Sequence, residues 1–121
     1  MQLRLAPAAL VAVLAAACSR TGTGAGVRND ITARMQSIQA PIAACYATTL
    51  QSNRKARGMM VVNFQAAAGT GQFELVNVGR DEPADAALRA CVIEQVSTLK
   101  LATPQRTAVM ASYPIRFAPS N

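Results

Sequence analysis

The stretch MMVVNFQAAAGTGQFELVNV, residues 59–78, decides how this chain folds. Met60, Val62, Phe64 and Ala66 alternate with Met59, Val61, Asn63 and Gln65, the period of a half-buried strand. Ala68-Gly69-Thr70-Gly71 then breaks the pattern with residues suited to a turn. Phe73, Leu75, Val76 and Val78 resume it as a second strand, with an irregularity expected where Leu75 and Val76 adjoin. An isolated hairpin is marginal in water, so it needs a further strand or a helix to pack on.

Both kinds of element follow on either side. Asp30 reads as the N-cap of a first helix. Its face is Ile31, Met35, Ile38, Ile42, Cys45, Tyr46 and Thr49, at spacings of three and four. Pro41 either kinks that helix or sits in the first turn of a restarted one. After the hairpin, Asp81 or Asp85 caps a second helix, with the stripe Ala84, Ala87, Leu88, Cys91, Val92, Val96 and Leu99. Val109, Ala111, Tyr113, Ile115 and Phe117 alternate as a last strand, and Pro114 within it argues for an edge position. The order is helix-strand-strand-helix-strand. A helical return after a hairpin lays the third strand antiparallel to the first. The expected fold is therefore a two-layer α+β domain, a three-stranded antiparallel sheet of order 2-1-3 with two helices on one face.

The N-terminus reads as an address rather than as fold. Residues 1–17 form a signal peptide: Arg4 supplies the positive region, and residues 5–17 are an apolar run too short to span a bilayer. The run ends Leu14-Ala15-Ala16-Ala17-Cys18, which resembles a bacterial lipobox with Ala15 where leucine is usual. Cys18 is then the lipidated N-terminus. Cleavage at Ala15-x-Ala17 without a lipid is the competing reading. Ser19 rather than Asp after the cysteine points to the outer membrane, with a soluble periplasmic or secreted protein as the alternative. Residues 18–29, which include Thr21-Gly22-Thr23-Gly24, form a flexible tether to a domain spanning 30–118. No strand precedes these glycines, so they lack the context of a dinucleotide loop.

Three cysteines in an exported chain leave one over. If Cys18 carries lipid, Cys45 and Cys91 remain as a pair, each on a helix stripe facing the same sheet. A helix-to-helix disulfide is the expectation in an oxidising compartment. Two free thiols or a redox pair are the alternatives, although redox cysteines usually lie two residues apart.

Composition narrows the chemistry. The chain is 51% apolar but has only two Tyr and three Phe, so its core is aliphatic. There is no His, which excludes the usual triads and most zinc sites. Ser37, Ser52, Ser97 and Ser112 thus lack an activating imidazole. Lys55 and Lys100 sit in no evident apolar pocket. Asp81, Glu82 and Asp85 are better explained by capping than by acid–base work, and these acids lack EF-hand spacing. No enzyme activity, cofactor or metal is expected. The net charge is +6, with one basic cluster, Arg54, Lys55 and Arg57, in a loop without aromatic neighbours, a poor footprint for nucleic acid.

Taken together, Cys45-Tyr46, Gly58-x-x-Val61-Val62-x-Phe64, Gly71-x-Phe73, Ala87-Leu88-x-x-Cys91-Val92 and Tyr113-Pro114-Ile115-Arg116-Phe117 form a set. In order and spacing it resembles the TonB C-terminal-type domain, in the two-cysteine AgmX/PglI version found in gliding-motility and envelope proteins of myxobacteria. The likeness covers about residues 30–117. It departs at residues 99–104, which lack the aromatic-Pro turn usual there. The chain reads as leader, tether and domain, with nothing to couple to an inner-membrane motor. The resemblance therefore implies binding rather than energy transduction: a periplasm-facing adaptor whose last strand, Val109, Ala111, Tyr113, Ile115, Arg116 and Phe117, adds a partner strand. Against this, the apolar members of that strand serve equally as core and Pro114 as edge protection. The alternative function is a structural lipoprotein associated with wall polymer or membrane surface through Arg54, Lys55 and Arg57.

Overall fold

In a computed structural model, which describes residues 24–119, the sheet is three-stranded, antiparallel and ordered β2-β1-β3. The elements are α1 (Ala25–Ser37), α2 (Gln39–Ser52), β1 (Gly58–Ala66), β2 (Phe73–Asp81), α3 (Ala86–Val96) and β3 (Val109–Phe117). This is the α+β order that the alternation and stripes imply. Signal peptide, Cys18 and most of the proposed tether lie outside the described residues.

β1 is the central strand, pairing with β2 on one side and β3 on the other. Met60, Val62, Phe64 and Ala66 are buried, and the residues between them are half-exposed on the uncovered sheet face. β2 is longer than the stretch of β1 it faces and absorbs the difference in two bulges. Gln65 pairs with Glu74 and Asn63 with Asn77, so Phe64 faces both Leu75 and Val76. Leu75 takes φ 54° and lies exposed, which returns Val76 and Val78 to the core side. A second bulge at Gly79 separates the Val62–Val78 and Val61–Arg80 pairs. The strand runs on to Asp81, past the last apolar position of the pattern at Val78.

The helices cover one face. Ile31, Met35, Ile38, Ile42, Cys45, Tyr46 and Thr49 are all buried, as their spacing implies. The first predicted helix is two. The chain breaks at Ile38, and α2 restarts with Pro41 in its first turn. Asp30 is not an N-cap. α1 begins at Ala25, so residues 25–29 are helical, and Asp30 accepts the N–H groups of Ala102 (3.1 Å) and Thr103 (2.9 Å) across the fold. On the second predicted stripe, Leu88, Val92, Val96 and Leu99 are core. Ala84 and Ala87 are exposed, because the helix starts only at Ala86 and Ala84 precedes it at φ 51°. Asp85 is the cap, accepting Leu88 N–H at 2.9 Å.

Cys45 and Cys91 form a disulfide joining α2 to α3, with Cα atoms 5.9 Å apart. Tyr46 packs on Phe117, and Phe64 stacks on Phe73 at 4.4 Å.

Candidate functional site: the free edge of the sheet

With β1 in the middle, β2 and β3 are both edges, but the two edges differ. Phe73 N–H donates to Leu99 O at 2.9 Å, Leu101 N–H to Gly71 O at 3.0 Å, and Gln72 bridges Lys100. Residues 99–101 thus close the start of the β2 edge. The two bulges distort the rest of it, a usual means of blocking edge pairing.

β3 has neither device. Its nine residues pair with β1 in unbroken register, Gly58–Phe117 through Ala66–Val109. Among the described residues, no backbone hydrogen bond joins β3 to anything beyond that ladder. The direction of its outer groups follows from β1. Met59 N–H donates to Glu82 Oε1 at 2.7 Å and Met59 C=O accepts Glu82 N–H at 2.9 Å, so both Met59 groups point toward β2. Antiparallel ladders alternate, so Gly58, Met60, Val62, Phe64 and Ala66 serve β3. Their partners Phe117, Ile115, Tyr113, Ala111 and Val109 turn their backbone groups inward. Met110, Ser112, Pro114 and Arg116 turn theirs outward. Pro114 therefore costs the ladder nothing and leaves one donor missing from the free edge.

Beside this edge, on the helix side, lie two depressions. One, of about 280 Å³, is lined by Arg28, Ile31, Thr32 and residues 110–113. The other, of about 220 Å³, is lined by Met35, Gln36, Gln39, Ile42 and residues 113–116. Tyr113 and Ile115 are half-buried and open onto them, whereas Phe117 and Val109 are core. The edge therefore combines unpaired backbone with adjacent recesses into which apolar side chains open, the two components of strand addition. The sequence alternation marks Tyr113 and Ile115 as inward; in the fold both are half-buried.

The remaining predicted groups are apart from this edge. Arg54, Lys55 and Arg57 are exposed on the loop before β1. The acids serve structure: Asp81 pairs with Arg89, Glu82 with Arg80, and Asp85 caps α3 and accepts Asn53 Nδ2 at 3.1 Å. Glu82 reaches Met59 N–H because Gly58, at φ +117°, has no Cβ; one placed there would lie 2.6 Å from the Glu82 Cβ. Among the described residues no His, Cys, Asp or Glu cluster suited to a metal occurs, and no helix is long and apolar enough to cross a membrane.

Two carboxylates carry lowered pKa values. The Met59 N–H and then Arg80 hold Glu82 below its ordinary 4.5, and the Leu88 N–H and then Asn53 hold Asp85 below 3.8. Both bind protons less readily folded than unfolded, so their contribution is complete above about pH 4.5 and is lost as pH falls through the lowered values. The thermal midpoint is expected to be flat from pH 7 to 5 and to fall below about pH 4. Glu82→Gln/Asp85→Asn should flatten that decline, as read by calorimetry across pH.

Comparison with protein-family models, curated proteins and solved structures gave no match.

Proposed function

We propose that this chain is a non-enzymatic lipoprotein of the bacterial envelope. It is a small periplasm-facing adaptor that takes an extended segment of a partner onto the outer edge of β3. The observation that carries this reading is the contrast between the two edges: β2 is bridged and bulged, whereas β3 is in unbroken register, open along its outer side and flanked by two recesses. The resemblance to TonB C-terminal-type domains supports the same edge. The Cys45–Cys91 disulfide supports the cysteine assignment, since it leaves Cys18 for the lipid and belongs to an oxidising compartment. In this reading Cys18 anchors the protein to the outer membrane, and the process served is of the envelope or motility kind.

The test uses a photo-activatable residue in the full chain in cells. At Ser112 it should crosslink an envelope protein; at Glu74, on the closed edge, it should not. Pro114→Val restores the missing donor and should raise the Ser112 yield severalfold. Equal yields at both edges, or none at Ser112, would contradict the proposal.

A further inference from the structure

The loop at 53–57 is held rather than loose. Ala56 is 1% exposed; its carbonyl accepts the Tyr46 hydroxyl at 2.6 Å, and its N–H donates to Asn53 O at 3.2 Å. Asn53 Oδ1 accepts Lys55 N–H at 3.3 Å, and Asn53 Nδ2 donates to Asp85. The loop is thus tied to α2 and to the start of α3, while Arg54, Lys55 and Arg57 stay exposed. The acids at this end are engaged elsewhere, Asp81 with Arg89, Glu82 with Arg80 and Asp85 at its cap. Among the described residues the three loop cations join no ion pair.

Two of these cations converge. Arg54 and Arg57 line one shallow recess of about 450 Å³, with Ala47, Leu50, Gln51 and Pro119 as its other walls. A pair of guanidinium forks on a small apolar floor is a recess for carboxylates, which guanidinium binds bidentately. Holding the loop in advance reduces the ordering cost of binding.

The placement of the loop selects among anionic partners. It leads into Gly58, which pairs with Phe117 at the end of β3. Gly24, where the described chain begins, lines a cavity with Val109 and Met110 at the start of β3. The two points are separated by most of the length of the sheet, roughly 27 Å at the usual rise per residue. If Cys18 carries a lipid, the Gly24 end is the one tied to the bilayer, and the cationic loop lies at the opposite end of the domain. We infer that Arg54 and Arg57, aided by Lys55, bind carboxylates of the glycan–peptide wall polymer that lies beyond the membrane surface. This rests on the envelope reading above.

The test is co-sedimentation of the full chain with purified peptidoglycan sacculi. Phosphatidylcholine and phosphatidylglycerol vesicles are run beside it over a range of salt. The wild type should sediment with sacculi, less so as salt rises. Arg54→Gln/Arg57→Gln should bind them at least about tenfold more weakly, with its unfolding midpoint and the Ser112 crosslink unchanged. Sacculus binding indifferent to the double substitution overturns the inference. So does binding to phosphatidylglycerol vesicles alone, or to neither probe. Failure of the envelope reading shows separately, as a Cys18 that incorporates no fatty acid. Failure of the strand-addition reading shows as a missing Ser112 crosslink.

Discussion

Replacing Cys45 and Cys91 together with alanine is expected to lower the unfolding free energy by about 4 kcal/mol. The bridge spans 46 residues, and closing a loop of that size removes this much conformational freedom from the unfolded chain in the chain-entropy account. Small domains have a net stability of only about 5–15 kcal/mol, so the loss takes a large share of it. The midpoint should fall by roughly 15–30 °C for a domain of this size. The wild type unfolded under reducing conditions should match the double variant, because both lack the same constraint. The bridge joins α2 to α3, and α2 supplies Gln39 and Ile42 to the wall of the recess beside β3. Losing it should therefore weaken partner capture at Ser112 before the sheet itself melts. A loss below about 1 kcal/mol, judged by denaturant titration, would mean that helix packing alone holds the layer.

Phe73→Ala should cost a comparable amount, about 3–5 kcal/mol. Phe73 is 1% exposed, stacks on Phe64 and opens β2 opposite Ala66. The Phe64 ring stacked on it would lose that contact and border the space left behind. The cavity would sit where β2 meets the segment at 99–101, whose Leu99 carbonyl accepts Phe73 N–H. Phe73→Leu keeps most of the volume and should cost less than about 1.5 kcal/mol. Denaturant unfolding of both variants checks the pair. Equal losses would place the effect in the backbone bridge instead of the core.

Much of the fold is legible from residue spacing because it depends on local alternation. Met60, Val62 and Phe64 mark the central strand, and Ile31, Met35, Ile42 and Cys45 mark the helical face. The first bulge is signalled by two adjacent apolar residues, Leu75 and Val76, that cannot both face inward in a regular strand. The second, at Gly79, has no such signal, since a glycine after Val78 reads equally as the end of a strand. Asp30 misleads for a related reason. A short acid before an apolar stripe follows the local capping rule, whereas its actual partners, the N–H groups of Ala102 and Thr103, are more than seventy residues away.

The candidate site is legible only in part. The alternation of β3 and the edge character of Pro114 are local properties. The closure of the rival edge by residues 99–101 is a long-range pairing that no local pattern encodes. The loop cations show the same division. Their charge is plain in the sequence, but the burial of Ala56 and the shared recess of Arg54 and Arg57 are not.

Amide hydrogen exchange along β3 in the free protein tests the central claim most directly. An open edge predicts alternation: the Met110, Ser112 and Arg116 amides exchange fast, and those of Ala111, Tyr113 and Ile115, paired to β1, exchange slowly. Slow exchange at all six positions would mean that the edge is already occupied, and would contradict the account.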